Sequence, residues 1–326
     1  MRRRDFITLL GGAGAAATPL RALAQQPGKI RLIGLATGFN EEEVRPLLEA
    51  MRTQLRVLGW ILGENIKLEV RYASGAYGAD QVRSLIAMNP EVIVTQGTGM
   101  LTVVRKETRT VPVVFTMVPD PVKLGIVDNL RRPGGNVTGF TNFEFSIGGK
   151  WLELLKELHP PLKRVVQISN LDNPNNVEFS KYIESQGETF GLEVTTAHLR
   201  TAEEIVPAIA AAARQPDGAI LVLPDSLLVI SRARIAEAAN RHQMPAIYPF
   251  RSFTDAGGLI SYGPNFSEIF RQAAGYVDRI LKGEKPGELP IQAPTKFELI
   301  INVKAAKVLG IDPSPMMLTR ADEVLE

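Results

Sequence analysis

The chain has 326 residues, with 37 Lys and Arg against 35 Asp and Glu, a formal net charge of +2 and no cysteine. The balanced charge excludes the basic footprint that nucleic-acid binding requires. The missing thiols exclude disulfides, Cys-ligated zinc, iron–sulfur clusters and cysteine nucleophiles, so an apolar core has to carry the stability.

At the N-terminus, Arg2, Arg3 and Arg4 form a charged head, and residues 6–20 are a short apolar run rich in Gly and Ala. Ala22-Leu23-Ala24 then supplies an A-x-A cleavage signature. Arg3-Arg4-Asp5-Phe6-Ile7 fits the twin-arginine form of export signal. The apolar run is too short to cross a hydrocarbon core of about 30 Å, which takes ~20 apolar residues. Residues 1–24 therefore read as a cleaved signal peptide and the mature protein is expected in the periplasm. Four basic residues and one acidic residue leave with that segment, so the remaining chain carries 33 against 34, a net charge of −1. The pI of 8.7 partly reflects the signal. Gly11-Gly12-Ala13-Gly14 belongs to it and is not a phosphate loop.

The mature chain then alternates. Residues 30–36, 66–72, 91–95, 111–117 and 137–141 are Val- and Ile-rich runs bounded by Gly, Pro and Asn, and are predicted as strands. Residues 42–58, 79–88 and 100–110 between them are predicted as helices. Near-continuous apolar strands separated by helices of this length imply a parallel sheet covered on both faces. The alternation repeats with strands at 164–169, 192–199, 218–223 and 245–248, and helices at 175–190, 202–214 and 229–242. About 300 residues in two similar halves imply two α/β lobes. A strand at 259–262 follows. Phe266, Ile269, Phe270, Ala273, Val277, Ile280 and Leu281 then make one apolar helical face. A turn, a strand at 297–303 and a helical tail close the chain, so it passes between the lobes more than once.

No usual catalytic constellation is found. His159 precedes Pro160-Pro161 at a helix end and His242 lies in the last turn of a helix, so both have structural readings, while His198 lies in a strand-like run. No G-x-S-x-G elbow, zinc-protease motif or Walker loop occurs. Small and polar residues instead recur just past the strands, where open parallel α/β sheets bind ligands. Thr37 and Phe39 follow the first strand. Gln96, Gly97 and Thr98 follow the third and open a helix with free N–H groups. Met117 ends the fourth strand and Asp120 follows it, and Asn142 follows the fifth. Asn170 and Asn173, then Asp225, then Phe250 and Arg251, and finally Tyr262 stand after strands of the second half. Each also has a plainer role as a turn residue, helix cap or packing residue.

Several longer segments carry a resemblance: Phe115 to Val122, Arg132-Pro133-Gly134-Gly135-Asn136-Val137-Thr138-Gly139, Leu259 to Pro264, and Pro294-Thr295-Lys296-Phe297-Glu298-Leu299. With the export signal and the Gln96 loop, the chain resembles the ABC-transporter substrate-binding protein family that includes tryptophan- and tyrosine-type binding proteins. The resemblance implies an α/β fold of class I periplasmic-binding type: two doubly wound parallel-sheet lobes joined by a three-crossing hinge. The expected first lobe is 28–141 plus 260–285 and the second 142–259 plus 286–326, with crossings at 137–142, 258–262 and 284–292.

It further implies a monomeric binding protein, not an enzyme, that needs neither cofactor nor metal. Its small organic ligand, an amino acid (aromatic ones included) or a small carboxylate, would be captured between the lobes. A membrane permease with its ATPase would receive it. On an amino acid, Thr98 and nearby N–H groups would meet the carboxylate, Asp225 or Asp120 the ammonium, and Phe39 or Phe250 the side chain. Arg251 would suit another carboxylate. The alternatives are a ligand-binding subunit of a sensory receptor and, more remotely, an α/β hydrolase. Against the latter, the paired carboxylates Glu203-Glu204 fall in a first helical turn, where acids suit the dipole.

Overall fold

Apolar β-branched runs form strands where Pro, Gly or Asn bound them, and the amphipathic segments between them coil against the resulting sheets. The computed structural model describes residues 30–73, 78–142, 144–294 and 296–326, so the signal segment lies outside the described residues. The first part runs β1 (Arg31–Thr37), α1 (Glu41–Val57), β2 (Ile66–Tyr72), α2 (Gly78–Ala87), β3 (Val92–Gln96), α3 (Gly97–Glu107), β4 (Val113–Thr116) and β5 (Val137–Gly139). These strands form one parallel sheet in the order β2-β1-β3-β4-β5. α1 starts sharply because Asn40 accepts the amide of Glu43 while the Glu43 carboxylate returns to the amide of Asn40.

The second part runs α4 (Ile147–Leu158), β6 (Arg164–Asn170), α5 (Pro174–Gln186), β7 (Glu193–Leu199), α6 (Ile205–Ala212), β8 (Gly218–Val222), α7 (Ser226–Ile230), α8 (Arg232–Arg241), β9 (Ala246–Tyr248), α9 (Arg251–Asp255) and β10 (Ile260–Pro264). α10 (Phe266–Leu281) leads back, and β11 (Phe297–Asn302), α11 (Val303–Val308), α12 (Pro315–Arg320) and β12 (Glu323–Leu325) finish the chain. The second sheet has the order β12-β11-β10-β9-β8-β6-β7. α4 and α5 cover one of its faces, and α6, α8 and α9 the other. The architecture is the expected α/β one, two lobes built on parallel-dominated sheets.

Several details differ from the sequence reading. The strand expected at 259–262, with residues 260–285 expected in the first lobe, is β10, and it pairs with β9 and β11 in the second sheet. Trp151 of α4 also donates its indole N–H to the carbonyl of Tyr262 at 2.7 Å, fixing that strand to the second lobe. After β10, α10 returns the chain to the first lobe. It packs along α1, β3 and β4, and Trp60 clasps Asp278 at 2.8 Å. Residues 286–292, expected in the second lobe, stay with the first: Ile291 donates to Leu130 and Gln292 to Gly139. The second crossing thus follows Pro264 and the third follows Gln292.

β11 runs antiparallel to β10 because the chain re-enters this lobe at its hinge end, so the second sheet is not wholly parallel. The expected helix at 229–242 breaks at Ser231 into α7 and α8, and the helical tail ends in a strand, β12, against β11. Among the described residues no helix is long and apolar enough to cross a membrane.

Candidate functional site

The parallel strands of each lobe deliver their carboxyl ends to the side where the other lobe lies. Two contacts fix this. Arg232, at the start of α8, donates to Glu43 in the first turn of α1 at 2.8 Å. Lys123, in the loop after β4, lies 4.5 Å from the ring centroid of Phe145, which leads into α4 and stacks on Phe179 of α5. These two bridges join the lobes on the side of the strand carboxyl ends.

On the first lobe the end of β1 meets the ends of β3 and β4. The Thr37 hydroxyl donates to Gln96 Oε1 at 3.1 Å and accepts the amide of Phe39 at 3.0 Å. The Gln96 amide nitrogen reaches Met117 Sδ at 3.8 Å. All three side chains are buried, and Met117 (φ +60°) and Asp120 (φ +33°) hold left-handed backbone in the loop after β4. Such conformations in non-glycine residues concentrate at functional loops. Asp120 accepts the amide of Lys123 at 3.0 Å, which shapes that loop. Gly97 has φ +79°, a turn that opens α3 and leaves its first N–H groups without helical partners. Thr98 stands in that first turn, half-exposed.

On the second lobe Asp225 is the centre. Its Oδ1 accepts Asn170 Nδ2 at 3.0 Å and the Leu227 amide at 2.8 Å, and its Oδ2 accepts Asn173 Nδ2 at 2.9 Å. Asp225 thereby caps α7 and is aimed by two asparagines brought from the loop after β6. Beside them, Ser169 Oγ and Asn176 Nδ2 are buried and have no partner among the described residues. Buried polar groups are nearly always paired, so this end of the lobe has hydrogen-bonding capacity left for solvent or a ligand.

Residues 51–325 match the family described as ABC transporter substrate binding protein. The chain belongs to that family. It is 27% identical over 256 residues to a tyrosine-binding protein of Clostridioides difficile (strain R20291), covering 78% of this chain and 73% of that one. Among solved structures it resembles a conserved domain protein from Vibrio cholerae, with TM-score 0.84, 27% identity, and coverage of 91% of this chain and 100% of the other. It also shares the fold of an ABC domain from Streptococcus pneumonia solved in complex with L-Trp. That match has TM-score 0.81 and 22% identity, and covers 91% of this chain and 100% of the other.

In this substrate-binding protein not every expected residue reaches the cleft. Arg251 is directed to the flank of its lobe, where its Nη1 and Nη2 donate to Glu323 and its Nε to Asp255. The Glu323 carboxylate beside it raises the guanidinium pKa further, so Arg251 already holds carboxylates of its own chain. Phe250 is buried against Phe266, 4.5 Å away, and Phe253, and Phe39 is buried in the apolar cluster of the core. Neither ring is an exposed lid. Tyr262 stacks on Phe297 at 5.7 Å and lines a cavity of about 290 Å³ beside the hinge, with Thr141, Lys150 and Pro294. Asn142 is buried at the first crossing.

His159 and His242 cap the C-terminal ends of α4 and α8, as their spacing implied. Glu204 takes the amides of Arg200 and Thr201, which hold its carboxyl below the usual range, so the Glu203-Glu204 pair is a helix-start device. Glu43, Arg232 and Lys123 went unnoticed in the sequence. The Asn40–Glu43 spacing advertises a helix cap, but nothing local announces a partner 189 residues away.

Proposed function

We propose that this chain is the exported, periplasmic solute-binding component of an ABC importer, that it acts as a monomer, and that it takes an amino acid with an aromatic side chain. The twin-arginine signal at residues 1–24 would carry it across the membrane, and a permease with its ATPase would receive the ligand. The observation that carries this reading is the pair of oriented polar clusters on facing strand ends: Asp225 aimed by Asn170 and Asn173, and Thr37 with Gln96 beside the open start of α3. Asp225 is the anchor for the ammonium group, and the first N–H groups of α3 with Thr98 are the anchor for the carboxylate. The tyrosine named for the C. difficile relative and the L-Trp named for the S. pneumonia structure support an aromatic side chain. Ligand contacts to both lobes favour the closed arrangement, which is the form a permease distinguishes from the open one.

The test is thermal unfolding of residues 25–326 against L-tyrosine, L-tryptophan, aliphatic amino acids and simple aromatic acids. A ligand at ~100 times its dissociation constant adds about 2.7 kcal/mol, a shift of a few degrees for a chain of this size. A shift with the aromatic amino acids alone is expected. A shift confined to acids lacking the ammonium group would remove Asp225 from its role, and no shift anywhere would remove the amino-acid reading.

A further inference from the structure

Glu43 and Arg232 form an ion pair between the two lobes, beyond the carboxyl ends of β1 and β8. The Glu43 side chain is only 6% exposed and that of Arg232 27%. Both are held on their own lobes before they meet. Glu43 uses Oε2 for the N-terminal cap of α1, leaving Oε1 for Arg232. Arg232 Nη1 also donates to the carbonyl of Val229 at 3.0 Å, which ties the guanidinium to the corner between α7 and α8. A groove of about 470 Å³ lined by Asn40, Ser252 and Asp255 runs beside the pair.

Separating the lobes breaks this contact without disturbing either sheet, because neither residue's own-lobe bonds depend on the other. The start of α1 follows β1, whose last residue is Thr37, and α8 follows α7, which Asp225 caps. The pair is thus attached to both halves of the candidate site. We propose that Glu43–Arg232 is a closure latch that sets how long the lobes stay shut on a ligand. The proposal rests on the reading of the chain as a two-lobed binding protein that opens and closes.

Two features make the pair stronger than an ordinary surface bridge. Pre-orientation on each lobe lowers the side-chain entropy lost on pairing, which is what usually leaves exposed pairs worth little. Burial of Glu43 means that removing the arginine alone also strands a carboxylate, a penalty that removing both charges together avoids even though the attraction itself is lost. The expected pattern is therefore non-additive.

Because the chain has no cysteine, two introduced ones can be labelled cleanly. Val57 on the first lobe and Val308 on the second are 74% and 57% exposed. Spin labels at Val57→Cys and Val308→Cys report the separation of the lobes in ligand-free protein, and stopped-flow release of L-tyrosine or L-tryptophan reports residence time. Arg232→Gln is expected to broaden the distance distribution towards longer separations and to speed ligand release about tenfold. Glu43→Gln with Arg232→Gln should recover only the part of that loss due to the stranded carboxylate, so its change is smaller than the sum of its single variants but still measurable, and Arg232→Lys should sit near the parent. An Arg232→Gln protein with an unchanged distance distribution overturns the latch. So does a double variant whose change equals the sum of its single variants. If neither amino acid binds, the functional reading fails while the ligand-free distances still decide the latch.

Discussion

Replacing Asp225 by Ala tests the second-lobe half of the site at the level of stability. The carboxylate accepts three hydrogen bonds, at 2.8, 2.9 and 3.0 Å, from Leu227, Asn173 and Asn170. Loss of the helix cap costs about 1 kcal/mol. Each asparagine amide also loses a charged acceptor, worth about 1.5 kcal/mol or more where water cannot replace it. Asp225 is half-exposed, so solvent recovers part of this, and the sum is about 2–3 kcal/mol.

The molecule supplies its own probes, since its two tryptophans sit one on each lobe, Trp60 beside α10 and Trp151 in α4. In a Trp60→Phe background, urea unfolding followed by Trp151 fluorescence reports the second lobe. Asp225→Ala is expected to lower that midpoint, and Asp225→Asn, which can still cap α7, to lower it less. Both should abolish stabilisation by any amino acid that binds the parent. An Asp225→Ala midpoint equal to the parent's would refute the description of Asp225 as an anchored, hydrogen-bonded carboxylate.

Two further outcomes follow from particular contacts. A Cβ on Gly139 would stand 2.1 Å from the carbonyl oxygen of Phe115, whose backbone pairs with β5, so Gly139→Ala should cost about 3 kcal/mol or more, read as a large fall in the thermal midpoint. The Glu323 carboxyl is held below the usual carboxylate range by hydrogen bonding to Arg251. Its contribution is therefore present above the ordinary glutamate pKa and lost as pH falls through the depressed value. Glu323→Gln should be less stable than the parent at neutral pH by under about 1 kcal/mol, and the two should converge in acid when unfolding is followed from pH 7 to pH 3.

Local chemistry makes most elements legible in the sequence. The apolar runs just before Thr37, Gln96 and Asn170 became strands, each ending one residue later than expected, and the stripe through Phe270, Ala273 and Val277 became α10, because burial on one face needs only sequence spacing. The loops after those strands were legible for the same reason: parallel sheets leave their carboxyl ends uncovered. The side chains that leave the loops were less so. Arg251 and Phe250 stand next to each other after β9, yet one goes to Glu323 and the other into the core. β10 was recognised as a strand but given to the wrong lobe, because its own residues do not record which neighbour supplies its hydrogen bonds.

The sequence by itself determined the alternation of strand and helix, the helix caps, the absence of thiol chemistry and the polar character of the strand-end loops, since each depends on residues within one or two turns of one another. Only the tertiary structure decided that Asn170, Asn173 and Asp225 form one cluster, that Arg251 serves the scaffold, and that Glu43 meets Arg232 across the cleft. Those pairings join residues far apart in the chain. Their energy appears only when the sheets have set the distance, and no local pattern carries that distance.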